Sequence, residues 1–121
     1  MNNIDQLNIN GTSVLRRAPS SVDKEFSTLI LLHGYGADEY DLMGLAAYFD
    51  ASMQVLSIRG PGSTLYGGAS WFDIDMLPDG SLKFNIDQAK VSTEQVIDII
   101  ANLQSDGVIR GKQIILGGFS Q

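Results

Sequence analysis

Apolar and polar residues first alternate near the start of the chain, at residues 6–9. Asn10 and Gly11 follow, a pair that readily adopts positive φ angles, and residues 12–17 can return as a second strand. An alternating segment that ends in Asn-Gly predicts an antiparallel β-hairpin. Residues 18–27 are polar, which predicts a surface connection.

Continuous apolar runs predict three further strands, at residues 28–32, 53–58 and 113–117. A run without polar alternation is typical of a buried strand, covered on both faces as in the centre of a parallel sheet. We therefore expect these strands to lie inside the domain.

Apolar residues recur at helical spacing before the last of these runs and predict a helix over residues 86–103, which Gly107 ends. Its apolar stripe consists of Ile86, Ala89, Thr93, Val96, Ile97, Ile100 and Leu103. A shorter helix is predicted from a cap at Asp38 or Asp41 to about residue 49. Its stripe consists of Leu42, Leu45, Ala46 and Phe49.

The order of these elements is typical of an α/β fold. Residues 63–85 follow neither period, and a Pro78-Asp79-Gly80 turn within them predicts two short extended pieces. Strands that alternate with helices predict a parallel sheet with right-handed crossovers, here preceded by an antiparallel hairpin. We expect residues 1–121 to form one domain, because the chain is too short for two cores.

Composition narrows the possible functions. The chain contains no apolar run long enough to cross a bilayer, no signal-peptide core and no cysteine, so we expect a cytoplasmic protein without stable membrane insertion or a thiolate metal site. The formal net charge is −6, which argues against binding to nucleic acid. A small neutral or apolar substrate fits this composition better.

The last residues of the sequence carry the first chemical motif. Gly118-Phe119-Ser120-Gln121 matches four of the five positions of the nucleophile elbow G-x-S-x-G, in which a strand turns sharply into a helix and exposes a serine. We expect Gly118 to be needed where a side chain would crowd the turn. A serine after a strand is also common as a turn residue or helix cap, so this alternative stays open.

The second motif is the loop His33-Gly34-Tyr35-Gly36, which follows the first central strand. Glycines at Gly34 and Gly36 let the backbone approach a substrate, and a backbone N–H of such a loop can stabilise the oxyanion of acyl transfer. A dinucleotide-binding loop would need a third glycine, and Glu39 stands at that position. Its carboxylate disfavours a bound pyrophosphate.

His33 is the single histidine of the sequence and the obvious candidate for a general base. Its place at the end of a strand instead favours a structural role, in which the ring supports the loop by hydrogen bonds. Hydrolases with a G-x-S-x-G elbow place the base histidine after the serine, which also favours the structural role.

Three motifs together resemble the phospholipase/carboxylesterase family of α/β-hydrolases, which includes lysophospholipases and acyl-protein thioesterases. The matching segments are residues 31–38, residues 59–73 and residues 116–121. This resemblance implies an α/β-hydrolase fold and a small ester or thioester substrate, without metal or cofactor.

The resemblance also implies roles for particular residues. Ser120 is implied as the nucleophile, and the backbone N–H groups of Tyr35 and Gln121 as the oxyanion hole. Trp71 and Phe72 are implied near the acyl or alcohol site, although large aromatic side chains at such positions are also common in a core.

The resemblance implies that an acid and a base histidine follow the serine, and Asp38, Asp41 and Asp73 do not occupy the acid position. We therefore expect an incomplete α/β-hydrolase fold: the N-terminal part of a hydrolase, ending at the elbow and inactive alone, whether as a truncated gene product, a partial sequence or a piece of a longer chain. The alternative is a noncatalytic α/β binding domain. Acyl chain length, leaving group and oligomeric state stay open.

Overall fold

A five-stranded mixed sheet forms the centre of the structure, a computed structural model that describes residues 4–21, 25–111 and 113–121. The strands within these residues are Ile4–Ile9 (β1), Thr12–Arg17 (β2), Thr28–Leu32 (β3), Gln54–Ile58 (β4), Gly62–Ser63 (β5), Ala69–Ser70 (β6), Ile74–Met76 (β7), Leu82–Phe84 (β8) and Ile114–Gly118 (β9). The large sheet has the spatial order β1-β2-β4-β3-β9. Strands β4, β3 and β9 run parallel, and β2 pairs antiparallel with both β1 and β4.

The predicted hairpin is confirmed. β1 and β2 pair antiparallel, and Asn10 and Gly11 between them have φ angles of 52° and 85°. Two consecutive positive φ angles match the twist of the flanking strands, which explains the Asn-Gly pair. In the predicted surface connection, residues 22–24 lie outside the described part of the chain. Pro19, just before them, is buried rather than exposed.

Strands β3 and β4 are buried on both faces, as predicted for the centre of the sheet. One face packs a core cluster formed by Val14, Ile30, Leu56, Ile58, Trp71, Ile99, Leu103 and Ile109. The opposite face packs a second cluster formed by Leu15, Leu29, Leu31, Met43, Ala46 and Val55.

Strand β9 is parallel to β3 as predicted, but the expectation that it is buried is wrong. It lies at the edge of the sheet, with Ile115 and Leu116 exposed to 40% and 61%. An apolar run alone does not distinguish a central strand from an edge strand, because burial depends on what the rest of the fold places over it.

The long helix, α1, spans Ile86–Ser105 and is capped by the side chain of Asn85. Gly107, at φ 76°, follows it as predicted. Its buried side chains are Ser92, Ile99 and Leu103, whereas Ile86 and Ile97 of the predicted stripe are more than half exposed. The sheet covers only part of the apolar stripe. Among the described residues, no helix has the length and apolar character needed to span a membrane.

The predicted short helix is a 3₁₀ helix, Leu42–Tyr48, rather than an α-helix. Three residues per turn place Met43 and Ala46 on the buried side and leave Leu45 exposed, so the predicted stripe is wrong at Leu45. Asp41 lies at the N-cap position without a side-chain capping bond. Asp38 instead accepts a hydrogen bond from the N–H of Tyr40.

The excursion between β4 and α1 contains two small hairpins, β5–β6 and β7–β8. The predicted Pro78-Asp79-Gly80 turn joins β7 and β8, with Gly80 at φ 85°. The first hairpin brings its second strand, β6, beside the loop that follows β3: the N–H of Gly36 donates to the carbonyl oxygen of Ala69 at 2.9 Å.

Candidate active site

The two motif-bearing loops leave the same edge of the sheet. β3 and β9 are parallel neighbours in which Leu32 is paired with Gly118, so the loops that follow them start side by side. Crevices beyond the carboxyl ends of parallel strands are the usual ligand sites of α/β folds. The topology therefore brings the loop of residues 33–36 next to residues 119–121.

Ser120 has a φ angle of 61°, one of two positive φ angles found outside glycine in the described residues. Such a conformation is strained for a serine and is characteristic of a nucleophile elbow. Ser120 is exposed. The last backbone hydrogen bond to β3 is made by the preceding residue, Phe119, whose N–H donates to the carbonyl oxygen of Leu32 at 3.2 Å. A hydroxyl on this turn is accessible to a substrate.

Gly34 packs closely against the elbow. A Cβ atom at this position would lie 3.2 Å from the carbonyl oxygen of Phe119 and 3.3 Å from the Cβ of Ser120. Gly36 has a φ angle of 81°, which a larger residue would adopt only with strain. At Gly118 a Cβ would come no nearer than 3.6 Å to the neighbouring described atoms, so the predicted crowding is not found there.

Among the backbone N–H groups at this edge, those of Tyr35 and Gln121 are not used by the described fold. Within the described residues, the N–H groups of Tyr35 and Gln121 donate no hydrogen bond, whereas those of Gly36 and Ala37 are bonded to Ala69 and Gly34. Unused N–H groups on two adjoining loops are what an oxyanion hole requires. The role of Tyr35 and Gln121 stays a prediction.

His33 is completely buried and has partners at both ring nitrogens. Nε2 accepts a hydrogen bond from the N–H of Gly60 at 2.9 Å. Nδ1 lies 2.8 Å from the carbonyl oxygen of Gly34, so it carries the proton and donates to that oxygen. The imidazole thus joins the loop after β3 to the loop after β4.

The aromatic pair Trp71 and Phe72 lies between these loops and α1. Trp71 is buried, its ring centroid is 5.1 Å from that of His33, and its indole N–H donates to the His33 carbonyl oxygen at 2.7 Å. Both aromatic residues line a largely apolar cavity of about 630 Å³ between α1 and β9, with Ser120 also in the lining. Their predicted place beside a substrate stays a prediction.

The side chain of Gln121 makes two hydrogen bonds that the sequence did not predict. Its Oε1 accepts from the N–H of Trp71 at 2.8 Å, and its Nε2 donates to the carbonyl oxygen of Phe72 at 2.6 Å. The motif marks only the backbone of this position, and no local pattern links it to residues far away in the chain.

Glu39 also has a structural partner that the sequence did not reveal. Its buried carboxylate pairs with Arg59 at 2.8 Å, and its carbonyl oxygen accepts from the Ser57 hydroxyl at 2.7 Å. Burial acts to raise the pKa of Glu39, but hydrogen bonds from Ser13 and Arg59 more than offset it, and the pKa lies below its usual value of 4.5. The carboxylate is therefore ionised at neutral pH and ties the loop to β4.

The aspartates near the motifs have partners of their own. The carboxylate of Asp73 accepts from the Gln88 side chain at 3.0 Å, and that of Asp38 accepts from a backbone N–H. Neither bonds to His33, so the geometry forms no Asp–His pair here. In the described part of the chain, no three His, Cys, Asp or Glu side chains come together as a metal site.

The fold is similar to that of several solved structures, two of which are named as esterases. The structure of YahD with malic acid matches at a TM-score of 0.71 and 25% identity, over 90% of this chain and 52% of that chain. A carboxylesterase from Mesorhizobium loti matches at 0.74 and 20%, over 97% of this chain and 53% of the other. Esterase PE8 matches at 0.69 and 23%, over 86% and 50%.

These comparisons confirm the α/β-hydrolase fold, and the chain spans about half the length of the solved structures it matches. The model of the family described as Phospholipase/Carboxylesterase matches residues 17–121, which is most of the sequence. The resemblance seen in the three motifs is therefore confirmed. The chain belongs to the phospholipase/carboxylesterase family of α/β-hydrolases.

Proposed function

We propose that this chain carries the nucleophile and the oxyanion hole of a carboxylic ester hydrolase. The observation that carries the proposal is the strained, exposed Ser120 at the end of β9, with Gly34 of the neighbouring loop in close approach to it. We further propose that residues 1–121 are the N-terminal portion of a single α/β-hydrolase domain.

In the proposed reaction, the Ser120 hydroxyl attacks the substrate carbonyl carbon and forms a tetrahedral intermediate. The negative charge that develops on the carbonyl oxygen is stabilised by the N–H groups of Tyr35 and Gln121, which have no partner among the described residues. Loss of one such donor typically costs about 3 to 4 kcal/mol of transition-state stabilisation. Expulsion of the alcohol leaves an acyl-enzyme, which water hydrolyses.

The serine needs a base, and His33 is poorly suited to that role. Its ring is buried and both nitrogens have backbone partners, so accepting the Ser120 proton requires breaking one of these bonds. We propose that a histidine outside these 121 residues is the base and that an acid, also outside them, orients it. His33 then has a supporting role, and the 121-residue chain alone has negligible activity.

The proposed substrates are small carboxylic esters, with lysophospholipids and acyl thioesters as members of the same chemical class. The family description and the names of the matched carboxylesterase and esterase support this choice. The proposed mechanism uses no metal or cofactor, because the serine, its base and backbone N–H groups are sufficient for acyl transfer.

The test measures hydrolysis of a short-chain nitrophenyl ester by the complete product of the gene and by its Ser120→Ala variant. We expect kcat to fall at least about 10⁴-fold in the variant, because the nucleophile is removed. Ser105→Ala, at the exposed end of α1, is the matched control and should retain full activity. Unchanged turnover in Ser120→Ala would overturn the proposal.

A second experiment distinguishes the hydrolase from a noncatalytic binding domain. A serine-directed organophosphonate should label Ser120 of the complete gene product, as shown by mass spectrometry of its peptides, and should leave Ser120→Ala unlabelled. A binding domain predicts no label on either protein. The 121-residue chain should react slowly or not at all, because it lacks the proposed base.

A further inference from the structure

The side chain of Gln121 is attached to the backbone of residues 71–72 by two hydrogen bonds. One amide atom accepts from the N–H of Trp71 and the other donates to the carbonyl oxygen of Phe72, at 2.8 and 2.6 Å. A carboxamide offers an acceptor oxygen and a donor nitrogen within one neutral group. Glutamate would keep only the acceptor, and methionine would offer neither strong bond.

This attachment lies directly beside Ser120, at the residue after the proposed nucleophile. Sheet pairing reaches Phe119, whose N–H donates to Leu32, and beyond it the backbone groups of Ser120 and Gln121 make no hydrogen bond to the described residues. Ser120 is exposed, while Gln121 is half-buried. The bonds of the Gln121 side chain thus attach to residues 71–72 the residue whose backbone N–H is one of the two proposed oxyanion donors.

Trp71 continues the connection to the other loop. Its indole N–H donates to the carbonyl oxygen of His33, and its ring stacks on the imidazole. The imidazole in turn bonds to the carbonyl oxygen of Gly34, the residue before Tyr35, and to the N–H of Gly60. A continuous set of short contacts thus runs from Gln121 to the residue that precedes Tyr35.

We infer that the Gln121 side chain is a positioning group that, through Trp71 and His33, holds the two N–H groups of the oxyanion hole in one fixed arrangement. This inference rests on the proposed function, in which the Tyr35 and Gln121 N–H groups stabilise the oxyanion. A misplaced donor weakens transition-state stabilisation more than substrate binding, so loss of the side-chain bonds lowers kcat and leaves KM nearly unchanged.

The experiment compares Gln121→Met and Gln121→Glu in the complete product of the gene. Gln104→Met is the matched control, because Gln104 is exposed near the end of α1. With a nitrophenyl ester we expect kcat to fall about 10- to 100-fold in Gln121→Met, with KM changed less than about twofold. Gln121→Glu keeps an acceptor for the Trp71 N–H but places a carboxylate oxygen against the carbonyl oxygen of Phe72, so its kcat should also fall at least about 10-fold.

Amide hydrogen exchange supplies a readout that does not depend on turnover. Exchange at the N–H groups of Trp71 and Gly60 should be faster in Gln121→Met than in the wild type, and unchanged in the Gln104→Met control. Unchanged exchange at Trp71, or faster exchange with unchanged kcat, overturns the inference. A wild-type protein without esterase activity and without labelling of Ser120 overturns the proposed function. In that case, the exchange rates of the Trp71 and Gly60 N–H groups still show whether the Gln121 side chain couples the two loops.

Discussion

The two loops of the candidate site follow strands that differ in burial within these 121 residues. The loop of residues 33–36 follows β3, which has β4 on one side and β9 on the other and is buried on both faces. The elbow follows β9, the edge strand, on which Leu116 is exposed to 61%. One half of the site is thus built on the core, and the other half depends on contacts at the edge of the sheet.

The same difference appears in how each loop is anchored. The segment after β3 is bonded to β6 through Gly36 and Ala37, to β4 through the carbonyl oxygen of Glu39, to Arg59 through the Glu39 carboxylate, and to residue 60 through His33. The elbow is joined to β3 by one backbone bond and to the segment of residues 71–72 by one side chain. We expect substitutions on the β3 side to alter stability and substitutions at the elbow to alter mainly function.

The largest expected effect is at Arg17, the last residue of β2, which is paired with Val55 of β4. Its guanidinium is buried and donates to the carbonyl oxygens of Ala46, Phe49, Asp50 and Met53. Arg17→Met removes a buried donor from each of these oxygens, of which only those of Ala46 and Asp50 also accept from the backbone N–H groups of Phe49 and Met53 among the described contacts. We expect the free energy of unfolding of the chain, measured by urea denaturation, to fall by about 4 kcal/mol.

Lys90→Met is the control for Arg17→Met, because Lys90 is exposed on α1 and also loses a positive charge. Its effect should stay within about 0.5 kcal/mol. Equal effects of the two substitutions would contradict the view that the bonds of Arg17 stabilise the segment between the 3₁₀ helix and β4.

The second prediction compares two leucines of the same sheet. Leu56→Ala, at a fully buried position on β4, should lower the free energy of unfolding by about 3 kcal/mol. Leu116→Ala, on β9, should cost less than about 1 kcal/mol, since most of its side chain is exposed. Urea denaturation of both variants of the 121-residue chain measures the difference. Equal decreases in the free energy of unfolding would contradict the view that β4 is part of the core and β9 is not.

Local patterns predicted much of this architecture. Asn10-Gly11 determines the hairpin by its preference for positive φ angles, and the apolar run of Thr28–Leu32 predicts β3 because the strand is covered on both faces. The apolar run of β9 does not by itself predict the exposure of Leu116, since such a run does not show what covers it. The 3₁₀ form of Leu42–Tyr48 was also missed, because its apolar residues fit either period.

The candidate site also has parts that local motifs predict and parts that only the tertiary fold shows. The elbow motif and the glycine loop identify residues whose backbone conformation is special, and the parallel pairing of β3 and β9 brings them together. The bonds from Gln121 to the segment of residues 71–72 span about fifty positions of sequence, so only the tertiary fold reveals them. The same holds for the pairing of Glu39 with Arg59, 20 positions apart.

The third prediction concerns the packing of the loop of residues 33–36, called the β3 loop below, against the loop before β6. Gly68 has a φ angle of 76°, and a Cβ there would lie 2.1 Å from the carbonyl oxygen of Gly36. Gly67 also has a positive φ angle, 90°, but its Cβ would meet nothing within 4 Å. Gly68→Ala should therefore destabilise the chain by about 2 kcal/mol more than Gly67→Ala.

Thermal denaturation of the two glycine variants measures this difference, because both carry the same conformational strain and only one carries the clash. A shared, small decrease in melting temperature would show that the loop moves away from Gly36 at little cost. The packing of the β3 loop would then contribute little to stability, as we expect for the elbow.

The smallest expected effect is at Glu39, whose ion pair with Arg59 anchors the β3 loop. Because Arg59 is 39% exposed, solvent screens the pair, and Glu39→Gln should cost about 1 kcal/mol at pH 7. Hydrogen bonds from Ser13 and Arg59 outweigh the effect of burial and lower the pKa of Glu39 in the folded chain. The folded state therefore binds this proton less readily than the unfolded state.

The sign of the pH dependence follows from that lowered pKa. The contribution of Glu39 is fully present above its usual pKa of 4.5 and is lost as the pH falls through the lower folded value. The difference in free energy of unfolding between wild type and Glu39→Gln should thus be constant near neutral pH and shrink in acid. Glu94→Gln, at an exposed position on α1, is the matched control and should change the free energy of unfolding at pH 7 by less than about 0.5 kcal/mol. A difference that grows as the pH falls would mean that burial dominates at Glu39, and that the carboxylate weakens the loop instead of anchoring it.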